Sequence, residues 1–260
     1  MTGGATRRVP LADIVTYLDD YLRIRDVPDY PDAVNGLQVE NGGAVDRIVA
    51  AVDASLATIE GVHRGVSPLL VVHHGLFWDG NVALTGRRMR RVRALLDRDI
   101  ALYGAHLPLD LHPEVGNNAV LARQLGVELE GQFGNYKGQP IGVYGRLARS
   151  REALARTLDD LLGTRTKLIG GGPATTARVG ILTGAGGSSS LLAECRDLGL
   201  DTYITGEGAH HTYFDAMEWG LNLLYAGHYA TEQVGVQALA EHLSQSFDLP
   251  WEFHHHPTGL

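Results

Sequence analysis

The sequence predicts an α/β fold of two similar domains, each with a mixed, mainly parallel sheet covered by helices. Three observations carry that expectation. Short apolar runs of strand length alternate with helical patterns of about 10–15 residues. The two halves repeat an order of motifs. A strand ending in His73-His74 precedes a later strand, ALYGAH, ending in His106, and a strand running toward His210-His211 precedes LLYAGH, ending in His228. Between the halves lies GQFGNYKGQP (131–140), whose glycines and polar residues punctuate the chain. It divides the sequence into a first domain over 1–130 and a second over 131–260, with the last helix free to pack back on the first.

Taken in order, Pro10 opens an amphipathic helix whose apolar residues Leu11, Ile14, Val15, Leu18 and Leu22 recur at helical spacing. A βαβ unit follows, with strands at 47–52 and 68–72 around a helix at 55–65. Residues 89–96 read as a helix, 100–105 as a short strand, and 117–125 as a helix stopped by Gly126. Past the glycine-rich stretch come a strand at 141–147, a helix from about 150 to 162, and a second βαβ unit with strands at 177–183 and 202–205 around a helix at 190–198. In such folds functional groups gather beyond the carboxyl ends of the parallel strands.

Composition excludes several classes. At 44% hydrophobic and 20% charged, the 260 residues suit a globular core rather than disorder or a fibre. No apolar stretch approaches the roughly 18 residues of a membrane span, and the N-terminal residues lack a secretory apolar region. The expectation is a soluble, cytoplasmic protein with no membrane partner. Cys195, the single cysteine, can form neither an internal disulfide nor a thiolate cluster. A net charge of -8 disfavours general binding of nucleic acid.

The twelve histidines point to chemistry. Adjacent side chains of a strand alternate faces, so His73 and His74 converge only where the backbone turns, which Gly75 permits. The next strand end, AHLPLDLHPEVGNN, offers His106, Asp110 and His112, with a plain helix cap as the other reading of Asp110. AGHYATEQVG puts His228 and Glu232 four residues apart, on one helical face. Imidazoles and carboxylates without sulfur suit a pair of divalent first-row ions, and Zn, Mn, Fe and Co all fit.

The set NGLQVE (35–40), VDAS (52–55), VVHHGLFW (71–78), AHLPLD (105–110), ITGEGAHH (204–211) and AGHYATEQVGVQAL (226–239) resembles the NIF-three-like dinuclear metal centre family, often described as GTP cyclohydrolase 1 type 2 homologues. The resemblance runs in order over nearly the whole chain. It implies the NIF-three-like fold, a toroidal homohexamer and two divalent metal ions per chain facing its interior. Carried over residue by residue, the ligands are His73, His74, Asp110, His228 and Glu232. His74 and Asp110 would hold one ion, His73 and His228 the other, with Glu232 as bridge. The implied activity is hydrolysis of GTP to dihydroneopterin triphosphate and formate, with metal-bound hydroxide as nucleophile. A metal-dependent phosphoesterase on nucleotides or nucleic-acid ends is the second reading. A non-enzymatic metal-binding ring acting through partners is the third.

Four further features are weighed beside these. Glu207 and His211 in ITGEGAHH are candidate catalytic acid/base residues or orienting partners of the ligands. LTGAGGSSS (182–190) could cradle a phosphate, although a tight strand-to-helix turn is the plainer reading. Arg87, Arg88, Arg90, Arg91 and Arg93 form either a solvated helix face or a steering patch for a polyphosphate. His254, His255 and His256 receive no role.

Overall fold

The computed structural model describes residues 7–260. The chain runs through β1 (Val9–Pro10), α1 (Leu11–Tyr21), β2 (Gly36–Val39), β3 (Ala44–Val45), β4 (Arg47–Asp53), α2 (Leu56–Gly61), β5 (Pro68–His74), α3 (Gly86–Leu96), β6 (Ala101–Gly104) and α4 (Leu107–Asp110). It continues through α5 (Asn117–Leu125), β7 (Glu128–Tyr136), β8 (Gln139–Ser150), α6 (Arg151–Leu162), β9 (Lys167–Gly170), β10 (Thr175–Leu182), α7 (Ser189–Asp197), β11 (Thr202–Thr205), α8 (Thr212–Glu218), β12 (Asn222–Tyr225), α9 (His228–Phe247) and β13 (Trp251–Phe253). One compact unit comprises the chain up to Leu109 with Val236–His256; the other comprises Asp110–Gly235 with Pro257–Leu260.

In the first unit the sheet order is β13-β4-β5-β6-β2, parallel except for β2. β4 and β5 are unbroken apolar runs because both faces are buried: on one, Val49, Ala51, Leu70, Val72 and Leu102 pack with Ile59 of α2 and Leu95 of α3, and on the other Ile48, Ala50, Val52, Leu69 and Val71 are equally enclosed. The second unit orders its strands β7-β8-β10-β11-β12-β9. Its β10, β11 and β12 are mutually parallel, and the remaining pairings are antiparallel. Phe133, Leu192, Cys195, Tyr203 and Leu223 make its core. This is the α/β architecture of two mixed sheets that the sequence predicts.

Helix ends follow local chemistry. Ser150 caps α6 by accepting from Ala153 N, and Gly163 ends it in the left-handed region at φ 65°. Gly126, at φ 77°, ends α5 in the same way. Two expectations are corrected. The stretch 131–140 is not a loop: it forms most of β7, its turn and the start of β8, inside the second unit. Gly131 in this stretch and Gly142 just beyond it leave room for aromatic rings to lie across the strands. A Cβ at Gly131 would sit 2.6 Å from the Tyr144 hydroxyl, and one at Gly142 would sit 2.7 Å from the Phe133 ring. The second correction concerns the 68–72 limits of β5, which runs on to end in His73-His74 as the repeated motif order has it.

Cys195 is wholly buried within this core, and burial, helped by Glu194, raises its thiol well above the ordinary range. A thiol-specific alkylating reagent is expected to leave the native protein unmodified and to label one site per chain only after denaturation. Leu70→Ala, at a fully buried position in the middle of β5, is expected to lower unfolding free energy by about 2–5 kcal/mol, measured by urea titration.

Candidate metal centre

The first unit gathers His73, His74 and His106, one ligand atom from each lying within 4.8 Å of the others. Pairing explains how neighbouring strand residues come together. The β5–β6 ladder ends at Val72 opposite Gly104, whereas the β4 side continues to Asp53 opposite His74. Past Val72 the ladder to β6 ends, and there the His73 ring meets the Ala105 carbonyl. Gly75 serves this corner by close approach rather than by an unusual φ. A Cβ there would fall 2.2 Å from the Gln38 amide, which donates to Ala33 O and Val34 O and accepts from Leu76 N.

Each ring is set by what its Nδ1 meets. His73 Nδ1 lies 2.9 Å from Ala105 O, His74 Nδ1 3.0 Å from Asp53 Oδ1, and His106 Nδ1 2.9 Å from Asp29 Oδ1. A carbonyl or carboxylate oxygen only accepts, so Nδ1 carries the hydrogen and the lone pair is left on Nε2. Asp29 is itself held by Tyr30 N, Asn35 Nδ2 and Leu107 N. Burial pushes its carboxyl up, but the His106 hydrogen bond and charge, with the other donors, outweigh burial and hold it below the usual carboxylate range. Trp78 stands edge-on to the His106 and His74 rings, with Tyr30 beyond. Its indole nitrogen is buried with no hydrogen-bond acceptor among the described residues.

The second unit carries the other donors. His228 opens α9 and reaches Glu207 Oε1 through Nδ1 at 2.8 Å and Glu232 Oε2 through Nε2 at 3.1 Å. Burial depresses the His228 imidazole, yet Glu232 and Glu207 together push it up to about 9. Two carboxylates clasping one imidazole amount to a site that demands positive charge. Gly184, at φ +70°, makes room for it, because a Cβ there would lie 2.1 Å from Glu232 Oε1. Asp110 Oδ1 accepts from Asn117 Nδ2 at 2.8 Å, and Asn117 Oδ1 accepts from Gly235 N of α9. One asparagine thus ties Asp110 to the helix bearing His228 and Glu232. Imidazoles fixed through Nδ1, with carboxylates beside them and no sulfur, fit a divalent first-row cation.

Other predicted features lie elsewhere or act differently. Glu207 orients His228. His210 and His211 do not end a strand: β11 stops at Thr205, and both histidines stand exposed where α8 begins. The 182–190 loop is a turn whose N–H groups are engaged within the chain, Gly184 N with Thr231 Oγ1, Gly186 N with Thr205 Oγ1 and Gly187 N with Glu207 O. His112 Nδ1 faces the N–H groups of Glu114 and Val115 at 3.3 Å. The arginine cluster divides. Arg88 is buried and donates to Gly80 O and Val82 O, and Arg87 pairs with Asp79 at the surface. Arg91 is partly desolvated, with a buried Nε that meets no acceptor among the described residues. Asp29, Asn117 and the orienting role of Asp53 are absent from the sequence reading. VDAS and the asparagines of VGNN were visible as motif residues, whereas Asp29 sits in a loop without periodicity.

The Duf34/NIF3 (NGG1p interacting factor 3) family model matches residues 9–258. This chain belongs to that family. A "GTP cyclohydrolase 1 type 2 homolog" of Deinococcus radiodurans is 43% identical to this NIF3-family chain over 250 residues, covering 95% of it and 94% of the relative. A protein of the same description from Halobacterium salinarum is 42% identical over 256 residues, covering 96% and 99%. The crystal structure of TTHA1606 from Thermus thermophilus superposes with a TM-score of 0.86 at 41% identity, covering 97% of this chain and all of that one.

Gly184→Ala is expected to displace Glu232 and to strip the purified protein of most bound metal while circular dichroism stays native. Glu207→Gln keeps the shape beside His228 but weakens the ring's acceptor, and metal affinity should fall about 10–100-fold. Competition with a chromophoric chelator measures both.

Proposed function

We propose that this NIF3-family protein is a dinuclear metal-dependent hydrolase acting on GTP in the cytoplasm, with His73, His74, Asp110, His228 and Glu232 holding two divalent ions. The observation that carries the reading is the common setting of four imidazoles, each with Nδ1 on a fixed acceptor. Bound divalent ions supply Lewis acidity and make water a nucleophile near neutral pH. The chain's own groups do the rest. Asp53, Asp29, Glu207 and the Ala105 carbonyl hold the rings in place. His106, which the five-ligand set leaves over, presents Nε2 as an acceptor for a proton of water or substrate. The half-buried, partly desolvated Arg91 guanidinium is a cation suited to an anionic substrate. His211 is kept as a proton-transfer candidate acting from the start of α8. GTP is favoured because the full-length relatives carry the name "GTP cyclohydrolase 1 type 2 homolog".

The assembly we propose is a toroidal homohexamer. Tyr213, Phe214 and Met217 of α8 are 46%, 52% and 45% exposed, an apolar patch that a second copy of the chain would cover. Light scattering should give about six times 28.0 kDa. The double change Phe214→Glu with Met217→Glu should reduce that mass if the patch is the contact.

The decisive assay incubates metal-loaded protein with GTP and follows formate and pterin absorbance. Formate release in step with pterin supports the reading. Phosphate release without formate replaces it with the phosphoesterase, and no turnover by fully loaded protein leaves the metal-binding ring acting through partners. His106→Gln should lower kcat with bound metal unchanged. Arg91→Ala should raise KM about tenfold with little change in kcat, since its donor holds ground state and transition state alike.

A further inference from the structure

The C-terminal tract Glu252 to His256 lies apart from the residues assigned above. β13 joins the edge of the first unit's sheet beside β4, and His254 N extends the pairing by donating to Ala50 O at 2.8 Å. Alternate residues of an extended chain share a face, which groups Glu252, His254 and His256 and sends His255 the other way. The His254 and His256 rings stand 6.3 Å apart between centroids. His254 Nε2 lies 3.4 Å from Glu252 Oε1, and Glu252 Oε1 also lies 3.8 Å from Arg47 Nη1. The carboxylate accepts from Nε2–H, so the lone pair of His254 rests on Nδ1.

That Nδ1 points to the end of α2. A Cβ built on Gly61 would lie 3.1 Å from His254 Nδ1 and 3.8 Å from His256 Nε2. Two imidazole nitrogens from residues two apart therefore both lie beside Gly61, a residue with no side chain, and a carboxylate sets the tautomer of the first. This is the donor pattern of a histidine metal site, with the orienting carboxylate included.

We propose that His254 Nδ1 and His256 Nε2 form a separate site for a borderline transition-metal cation such as Zn2+, Ni2+ or Cu2+, completed by water and oriented by Glu252. Two imidazoles and water make a weak, exchangeable site, distinct from the dinuclear centre proposed above.

Equilibrium dialysis of the native, metal-loaded protein against increasing Zn2+ tests the proposal. The protein is expected to take up one weak equivalent per chain beyond its tightly held metal. His254→Ala with His256→Ala should abolish that equivalent, Glu252→Gln should weaken it about tenfold, and Gly61→Ala should weaken it. The methyl of Gly61→Ala acts by pressing on the His254 ring, His255→Ala should leave the uptake intact, and unfolding midpoints without added zinc confirm that every variant is folded. Unchanged uptake by the double variant overturns the proposal. Equal loss on changing His255 overturns it as well, because the tract would then bind as a flexible polyhistidine rather than as a built site.

Discussion

The donor groups depend on one repeated interaction, an Nδ1–H donated by a histidine to an oxygen that the fold has already fixed. A neutral imidazole has one lone pair, and its direction is undetermined until the other nitrogen is occupied. Ala105 O, Asp53 and Asp29 settle the matter for His73, His74 and His106, and Glu207 fixes the His228 ring through Nδ1 while Glu232 faces its Nε2. Those acceptors are themselves secured. Asp29 receives two backbone and two side-chain donors, and Ala105 N continues the sheet by donating to Val72 O. Losing such an acceptor would leave the imidazole in place chemically but free to turn, which is why orienting carboxylates matter almost as much as ligands.

Glycine is the second constraint, used mainly for proximity. Gly75 and Gly104 both lie against the Gln38 amide, Gly184 against Glu232, and Gly235 against Asn117. At each, a methyl group would occupy the place of a polar atom that holds the donor groups together. The motifs QVE, HHG, LTG and EQVG are therefore halves of contacts whose other halves lie far away in the sequence.

That geometry explains what the sequence could show. The central strands of the first unit were legible because strands covered on both faces are continuous apolar runs, and β11 matches its expected limits residue for residue. α5 announced its end through Gly126, and α6 closely matches its expected span of about 150 to 162. The stretch 131–140 misled because all its glycines read as turn signals, whereas only Gly138, at φ +87°, sits in the turn between β7 and β8, and Gly131 lies within β7 against Tyr144. The five arginines read alike, yet backbone carbonyls claim Arg88 and Asp79 claims Arg87, a distinction that needs the loop at 79–82 in place. His73, His74, His228 and Glu232 stood out by spacing. Asp29 could not, since a carboxylate in an irregular loop has no period to betray it.

Membership of the Duf34/NIF3 family accounts for the fold, and the chemistry has to be argued from the side chains. The central claim is that two ions are held by five residues and share Glu232. Elemental analysis of gently purified protein, native and substituted, addresses it most directly. The account predicts about two divalent ions per chain in the native protein, about one in Asp110→Ala and nearly none in Glu232→Ala, because a bridging carboxylate serves both ions. Small and equal losses from both substitutions would contradict it.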